Sequence, residues 1–215
     1  MQQKEVQNAV RWAVSLAGCA AASFLVLDRQ THEPLYRLAQ SPPVYWAVSI
    51  LISFGKATFP LLAFAALWLY GFLRRSTHLK RAARIGITAQ AAAGGLVWML
   101  KLNIYRERPY VPYHQEGGVP VGYFQSFPSG DAAVIFAFAF AASYAFPRAR
   151  PAFFAFAGAV AAMRVFCLAH YPSDVFAGAA AGAAGWAIAL VATSWKEKRL
   201  NQTPSEQGQS VYTGL

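Results

Sequence analysis

The sequence predicts an all-α fold: a polytopic membrane helix bundle with about six transmembrane helices. Three observations carry that expectation. Of 215 residues, 56% are hydrophobic and only 13% charged. A soluble domain of this length can bury a large core, but its surface needs more charge than that. The apolar residues come in long blocks, not short alternations, which favours helices that cross a hydrocarbon core. The formal net charge of +10 is gathered between those blocks and not along one face. Membrane topology therefore explains the basic balance better than nucleic-acid binding does.

The first span covers about Val10 to Leu27, bounded by Arg11 and Asp28-Arg29. Its Ala-rich tract resembles a signal-peptide core, but no clean cleavage site precedes the next polar stretch. Residues 28–43 are polar and contain Pro34, Pro42 and Pro43, so a loop is expected there. The block Val44 to Leu73 is too long for one span. Gly55-Lys56 divides it into a short surface helix ending near Phe54 and a second span from about Ala57 to Leu73. Arg74 to Arg84 reads as a basic loop. The third span is about Ile85 to Leu102, the fourth Ala132 to Phe146, the fifth Ala152 to Ala169, and the sixth Val175 to Trp195. A core of about 30 Å takes about 20 apolar residues, so several of these blocks are short for the task. One integral membrane domain is expected over residues 1–195. Residues 196–215 form a polar tail with the composition of a disordered segment. Cys19 and Cys167 lie in apolar segments without metal-ligand spacing and read as buried thiols.

Loop charge orients the bundle. Arg74, Arg75, Lys80, Arg81 and Arg84 crowd one loop, Arg148 and Arg150 another, and Lys196, Lys198 and Arg199 follow the last span. With six spans all three fall on the side of the N-terminus, which the positive-inside rule makes cytoplasmic. The expected setting is a bacterial inner membrane, with both termini cytoplasmic and the opposite face periplasmic.

Three clusters fall on that opposite face. The first is Lys101 to Pro109, with Arg106 and Arg108 beside Lys101. Guanidinium forks and an ammonium at the mouth of a bundle suit an anion, although basic residues at a membrane boundary commonly just snorkel. The second is Pro128-Ser129-Gly130-Asp131, which opens the fourth span. Pro and Ser suit a first helical turn, and free N–H groups with the helix dipole favour an anion; an ordinary cap has the same sequence. The third is Arg164, His170 and Asp174. Arg164 suits a phosphoryl oxygen, and Asp174 suits a hydrogen bond to one imidazole nitrogen that leaves the other free to attack. No cluster has metal-ligand spacing, and no metal or cofactor is expected. No charged mid-span residue or internal repeat marks an ion path or carrier.

Together the clusters resemble the type 2 phosphatidic acid phosphatase superfamily. The family pattern is Lys-x6-Arg-Pro, Pro-Ser-Gly-His, and Arg-x5-His-x3-Asp. Here it is met by Lys101, Arg108 and Pro109, by Pro128, Ser129 and Gly130, and by Arg164, His170 and Asp174. The resemblance implies a membrane lipid phosphatase. His170 becomes a phospho-histidine, Asp174 orients it, and Lys101, Arg108, Ser129, Gly130 and Arg164 hold the phosphoryl oxygens. The substrate is a lipid phosphate or diphosphate of the undecaprenyl pyrophosphate, phosphatidylglycerophosphate, phosphatidic acid or lipid A class. The other expected partners are membrane lipids; no nucleic acid and no obligate protein partner are expected. Transfer of the phosphoryl group to another lipid is the alternative use of the same intermediate.

Asp131 departs from the pattern, standing where the family has the histidine that protonates the leaving oxygen. Three readings stay open: a working acid for an easy leaving group, a natural variant with impaired turnover that still binds lipid phosphate, or an engineered block. His114, in the loop between the first two clusters, is a further candidate donor. Glu107 and Glu116 read as loop charge balance, and Tyr105, Tyr110, Tyr113, Tyr123 and Phe124 as an interfacial aromatic belt.

Overall fold

The computed structural model describes residues 2–39, 56–109 and 124–201. The expected surface helix before Phe54 lies outside them, as do His114, Glu116, Tyr110, Tyr113 and Tyr123. Six α-helices lie within the described residues: α1 (Gln2–Ala39), α2 (Thr58–Leu73), α3 (Thr77–Asn103), α4 (Gly130–Ala145), α5 (Arg150–Phe166) and α6 (Pro172–Asn201). Four helical stretches are long and apolar enough to cross a membrane: Gln2–Gln30, Thr77–Asn103, Pro147–Phe166 and Pro172–Glu197. Helices α2 and α4 are apolar but have 16 residues each, a rise of about 24 Å at 1.5 Å per residue.

Each apolar block within the described residues is a helix, but several ends move. Helix α1 continues to Ala39 through the stretch expected to be a loop, carrying Pro34 inside it. The polar residue that suggested a boundary, Asp28, is buried and fully engaged, so it does not end the helix. Helix α3 begins at Thr77, so most of the expected basic loop is helical. Ser76 starts it, with extended backbone and a hydroxyl that accepts from the Leu79 N–H. Helix α6 runs past Trp195 to Asn201, where Glu197 is tied to Arg81. Residues 196–201 of the expected tail are thus helical, and residues 202–215 lie outside the described residues. Cys19 is exposed on α1 and not buried, and Cys167 is half-buried.

Helix α6 is the central element and packs against α1, α3 and α4. It comes close because it carries glycine where the others press. A methyl group on Gly178 would lie 2.2 Å from the Ser129 carbonyl oxygen, and one on Gly182 would lie 2.6 Å from that of Ala133. Small residues let the backbones of two membrane helices touch. Alanines fill the rest of the seam, among them Ala89, Ala93, Ala133, Ala137 and Ala183, with Trp186, Phe64, Ile85 and Ile135 as the large buried side chains. Leu25, Leu62, Leu73 and Trp98 point outward and are exposed, as suits a surface whose solvent is lipid.

The two ends of the bundle differ. At one end Arg81 donates to Glu197 (2.7 and 3.0 Å), to the Tyr144 hydroxyl and to Gln2, while Gln2 donates to the Leu190 carbonyl at 2.8 Å. The starts of α1 and α3 thus meet the ends of α4 and α6. The other end holds Asp28, Arg106, Arg108, Asp131, Arg164, His170 and Asp174.

Candidate active site

The chain folds tightly around this second end. The backbone after α3 pairs with the backbone before α4: Arg106 N–H donates to the Phe124 carbonyl and Ser126 N–H to the Arg106 carbonyl, both at 2.9 Å. That pairing sets the first cluster beside the second. Lys101 Nζ donates to the Gln125 carbonyl, in the same seam. The second cluster is tied to the third by Ser129 N–H, which donates to the Asp174 carbonyl at 2.9 Å. Within the third, α5 ends in a tight turn. Leu168 takes a left-handed conformation (φ 55°), and the N–H groups of Ala169 and His170 both donate to the Arg164 carbonyl at 3.1 Å. Arg164 and His170 are therefore placed by one local turn.

His170 is 3% exposed. Its Nδ1 lies 2.8 Å from the Ser126 carbonyl oxygen. A carbonyl only accepts, so Nδ1 carries the proton and the Nε2 lone pair is free. Nε2 faces Arg108, whose Nη1 is 3.4 Å away and donates to the Ala169 carbonyl at 3.0 Å. The expected hydrogen bond from imidazole to Asp174 is not the one that forms. The Asp174 carboxylate is 3.7 Å from Nδ1, beyond hydrogen-bond range. It is held instead by Arg106 (2.5 Å), by the Ser126 hydroxyl (2.5 Å) and by the Tyr171 N–H (2.9 Å). Asp174 thus acts on the imidazole through its charge and through Ser126.

Burial holds His170 below the ordinary imidazole range; nearby Asp174 pulls it up, while Arg108 and Arg164 push it further down. The neutral ring therefore persists to lower pH than in a free histidine. We expect the acid limb of kcat/KM to lie below 6.5, the ordinary value. A pH profile with its acid limb above that value contradicts the assignment of His170 as nucleophile.

The remaining residues form a ring. Ser129 caps α4, its hydroxyl accepting from the Ala132 N–H at 3.4 Å, and is fully buried. Gly130 and Asp131 are the first helical residues of α4, so their N–H groups belong to the anion-favouring first turn. Arg164 Nε lies 3.0 Å from the Asp131 carboxylate. The contact is electrostatic only, because that buried N–H is not aimed at an acceptor. Arg106, which the sequence groups with the anion-binding cations, is occupied elsewhere: it bridges Asp28 and Asp174 and stacks on Tyr171, 4.1 Å from the ring centre. Asp28 and Ser126 are the participants that motif reasoning misses. A carboxylate at the end of an apolar run was a visible signal for the first. Nothing in the sequence marks Ser126.

Among the described residues, one end of an apolar helix bundle gathers His170, Lys101, Arg106, Arg108 and Arg164 about the start of α4, an arrangement of the kind that binds anions. The model of the PAP2 superfamily matches residues 82–200, and the chain belongs to that superfamily. Two lipid A 1-phosphatases are similar to it. That of Rhizobium etli is 38% identical over 154 residues, covering 67% of this chain and 62% of the relative. That of Rhizobium johnstonii is 43% identical over 96 residues, covering 42% and 39%. The chain thus matches less than two thirds of the length of either relative. Two crystal structures share the fold, each with a TM-score of 0.61. Aquifex aeolicus LpxE is 23% identical, covering 77% of this chain and 95% of that one. A phosphatidylglycerolphosphate phosphatase from Bacillus subtilis is 21% identical, covering 88% and 96%.

Proposed function

We propose that the protein removes a terminal phosphate from a membrane lipid, with the 1-phosphate of a lipid A-type glycolipid as its substrate class. The observation that carries the chemistry is the orientation of His170: Nδ1–H is fixed by a backbone carbonyl, and Nε2 faces the Arg108 guanidinium. The named relatives support the choice of lipid.

In this reading Nε2 attacks phosphorus as the bond from phosphorus to the lipid oxygen breaks. Arg108, Arg164, Lys101 and the first-turn N–H groups of α4 take up charge on the non-bridging oxygens. Ser129 shapes that turn. Asp131 delivers the proton that the departing lipid oxygen needs. Water then attacks the phospho-histidine, free phosphate leaves, and Nε2 is regenerated. The lipid tails stay in the bilayer, and the site opens on the periplasmic face of a bacterial inner membrane.

A substrate panel tests this. Purified protein in detergent is expected to release inorganic phosphate from lipid A and to leave its 4′-phosphate in place. Rates on phosphatidic acid and phosphatidylglycerophosphate are expected to be at least about tenfold lower. Phosphatidylglycerophosphate as the fastest substrate overturns the lipid A assignment. A newly phosphorylated lipid in place of free phosphate points to phosphoryl transfer.

A further inference from the structure

We propose that Asp28 and Arg106 are positioning residues: a carboxylate–guanidinium pair, its acidic half supplied by α1, that sets where Asp174 and Ser126 hold the His170 imidazole. The inference rests on His170 being the nucleophile. It adds a residue from outside the matched region of residues 82–200.

The contacts form an unbroken chain. Asp28 is 5% exposed. Its Oδ2 accepts from Arg106 Nη2 and from the Ser173 hydroxyl, both at 2.6 Å, and its Oδ1 accepts from the Ser173 N–H at 3.1 Å. Arg106 Nη1 reaches the Ser173 hydroxyl at 2.6 Å and Asp174 Oδ1 at 2.5 Å. Asp174 Oδ2 takes the Ser126 hydroxyl at 2.5 Å, and the Ser126 carbonyl takes His170 Nδ1 at 2.8 Å. A carboxylate buried in an apolar helix is costly unless it is paired. What Asp28 does is divide one guanidinium between two carboxylates and fix the start of α6, on which Asp174 sits.

That division gives opposite signs for two substitutions. Asp28→Asn leaves Arg106 to Asp174 alone, so the negative potential at His170 falls. Arg106→Gln leaves two carboxylates unbalanced, so it rises. The other charged groups that bear on His170 stay in place: Lys101 from α3, Arg108 from the segment after it, Asp131 from α4 acting through Arg164 of α5, and the neutral Tyr171 beside it.

The experiment uses the full chain in detergent, with chromatographic elution and thermal unfolding as fold controls. Two quantities are read: the pH profile of phosphate release, and hydrogen–deuterium exchange at the His170 ring C2 position, which follows imidazole titration without turnover. Asp28→Asn is expected to lower kcat about ten- to hundredfold with KM near wild type, and to move the exchange midpoint to lower pH. Arg106→Gln is expected to lower kcat further and move the midpoint up. The double variant is expected to regain part of the loss, because only one unbalanced carboxylate remains. The inference is overturned by midpoints that move together, by folded variants with wild-type kcat, or by activity that falls only in step with folded protein. Should the wild type release no phosphate while the midpoints still diverge, the lipid-phosphatase reading fails and the positioning pair stands.

Discussion

His170→Ala is expected to lower phosphate release by about four to six decades, the largest effect of any single substitution in the chain. The size follows from the role. Removing a covalent nucleophile leaves only the binding and electrostatic help of the surrounding groups, as in other sites whose members act as a unit. Two neighbouring cations have partners other than that side chain: Arg108 donates to the Ala169 carbonyl and Arg164 pairs with Asp131. KM, or direct binding of a lipid phosphate, is therefore expected to change little. Rapid acid-free quenching of the wild type during turnover is expected to trap phosphate on His170 and on no other histidine. Residual activity within tenfold of wild type excludes the mechanism.

Asp131→Asn is expected to cost about two to four decades if its carboxyl group delivers the proton to the leaving oxygen. The substitution keeps size and removes the proton. It also removes the charge held beside Arg164, which on its own would favour phosphate binding. Tighter binding with slower turnover is thus the expected signature. Asp131→His is expected to return activity to within tenfold of wild type or above it, because imidazole can donate at neutral pH. If Asn turns over like wild type, Asp131 is only a counter-ion for Arg164. Comparing the two variants on a substrate with a good leaving group, such as a lipid diphosphate, sharpens the test: the Asn defect is expected to shrink there.

The helices were legible because each apolar block has a single use in a membrane protein. Their ends were not, for a physical reason visible at three places. Asp28 looked like a helix boundary because its partners, Arg106 and Ser173, lie far along the chain. Arg81 and Glu197 looked like loop and tail residues, yet each satisfies the other across the bundle and stays helical. Charge in sequence suggests solvent; charge in the fold was paired. The site was legible as a set of side chains, because phosphate chemistry needs particular groups at particular spacings. Its internal wiring was not. The spacing of His170 and Asp174 suggested a direct hydrogen bond, but the turn at Leu168 rotates the imidazole toward the Ser126 carbonyl instead. That acceptor is main chain, and main-chain oxygens leave no mark in a motif.

The contact of Gly178 with the Ser129 carbonyl has a consequence for redesign. There the wall between α4 and α6 is polypeptide backbone, and a single added methyl group would meet it at 2.2 Å. Such a wall offers a protein engineer nothing to vary. Redesign of this end of the bundle has to work through side chains of other elements, leaving the glycine seam untouched.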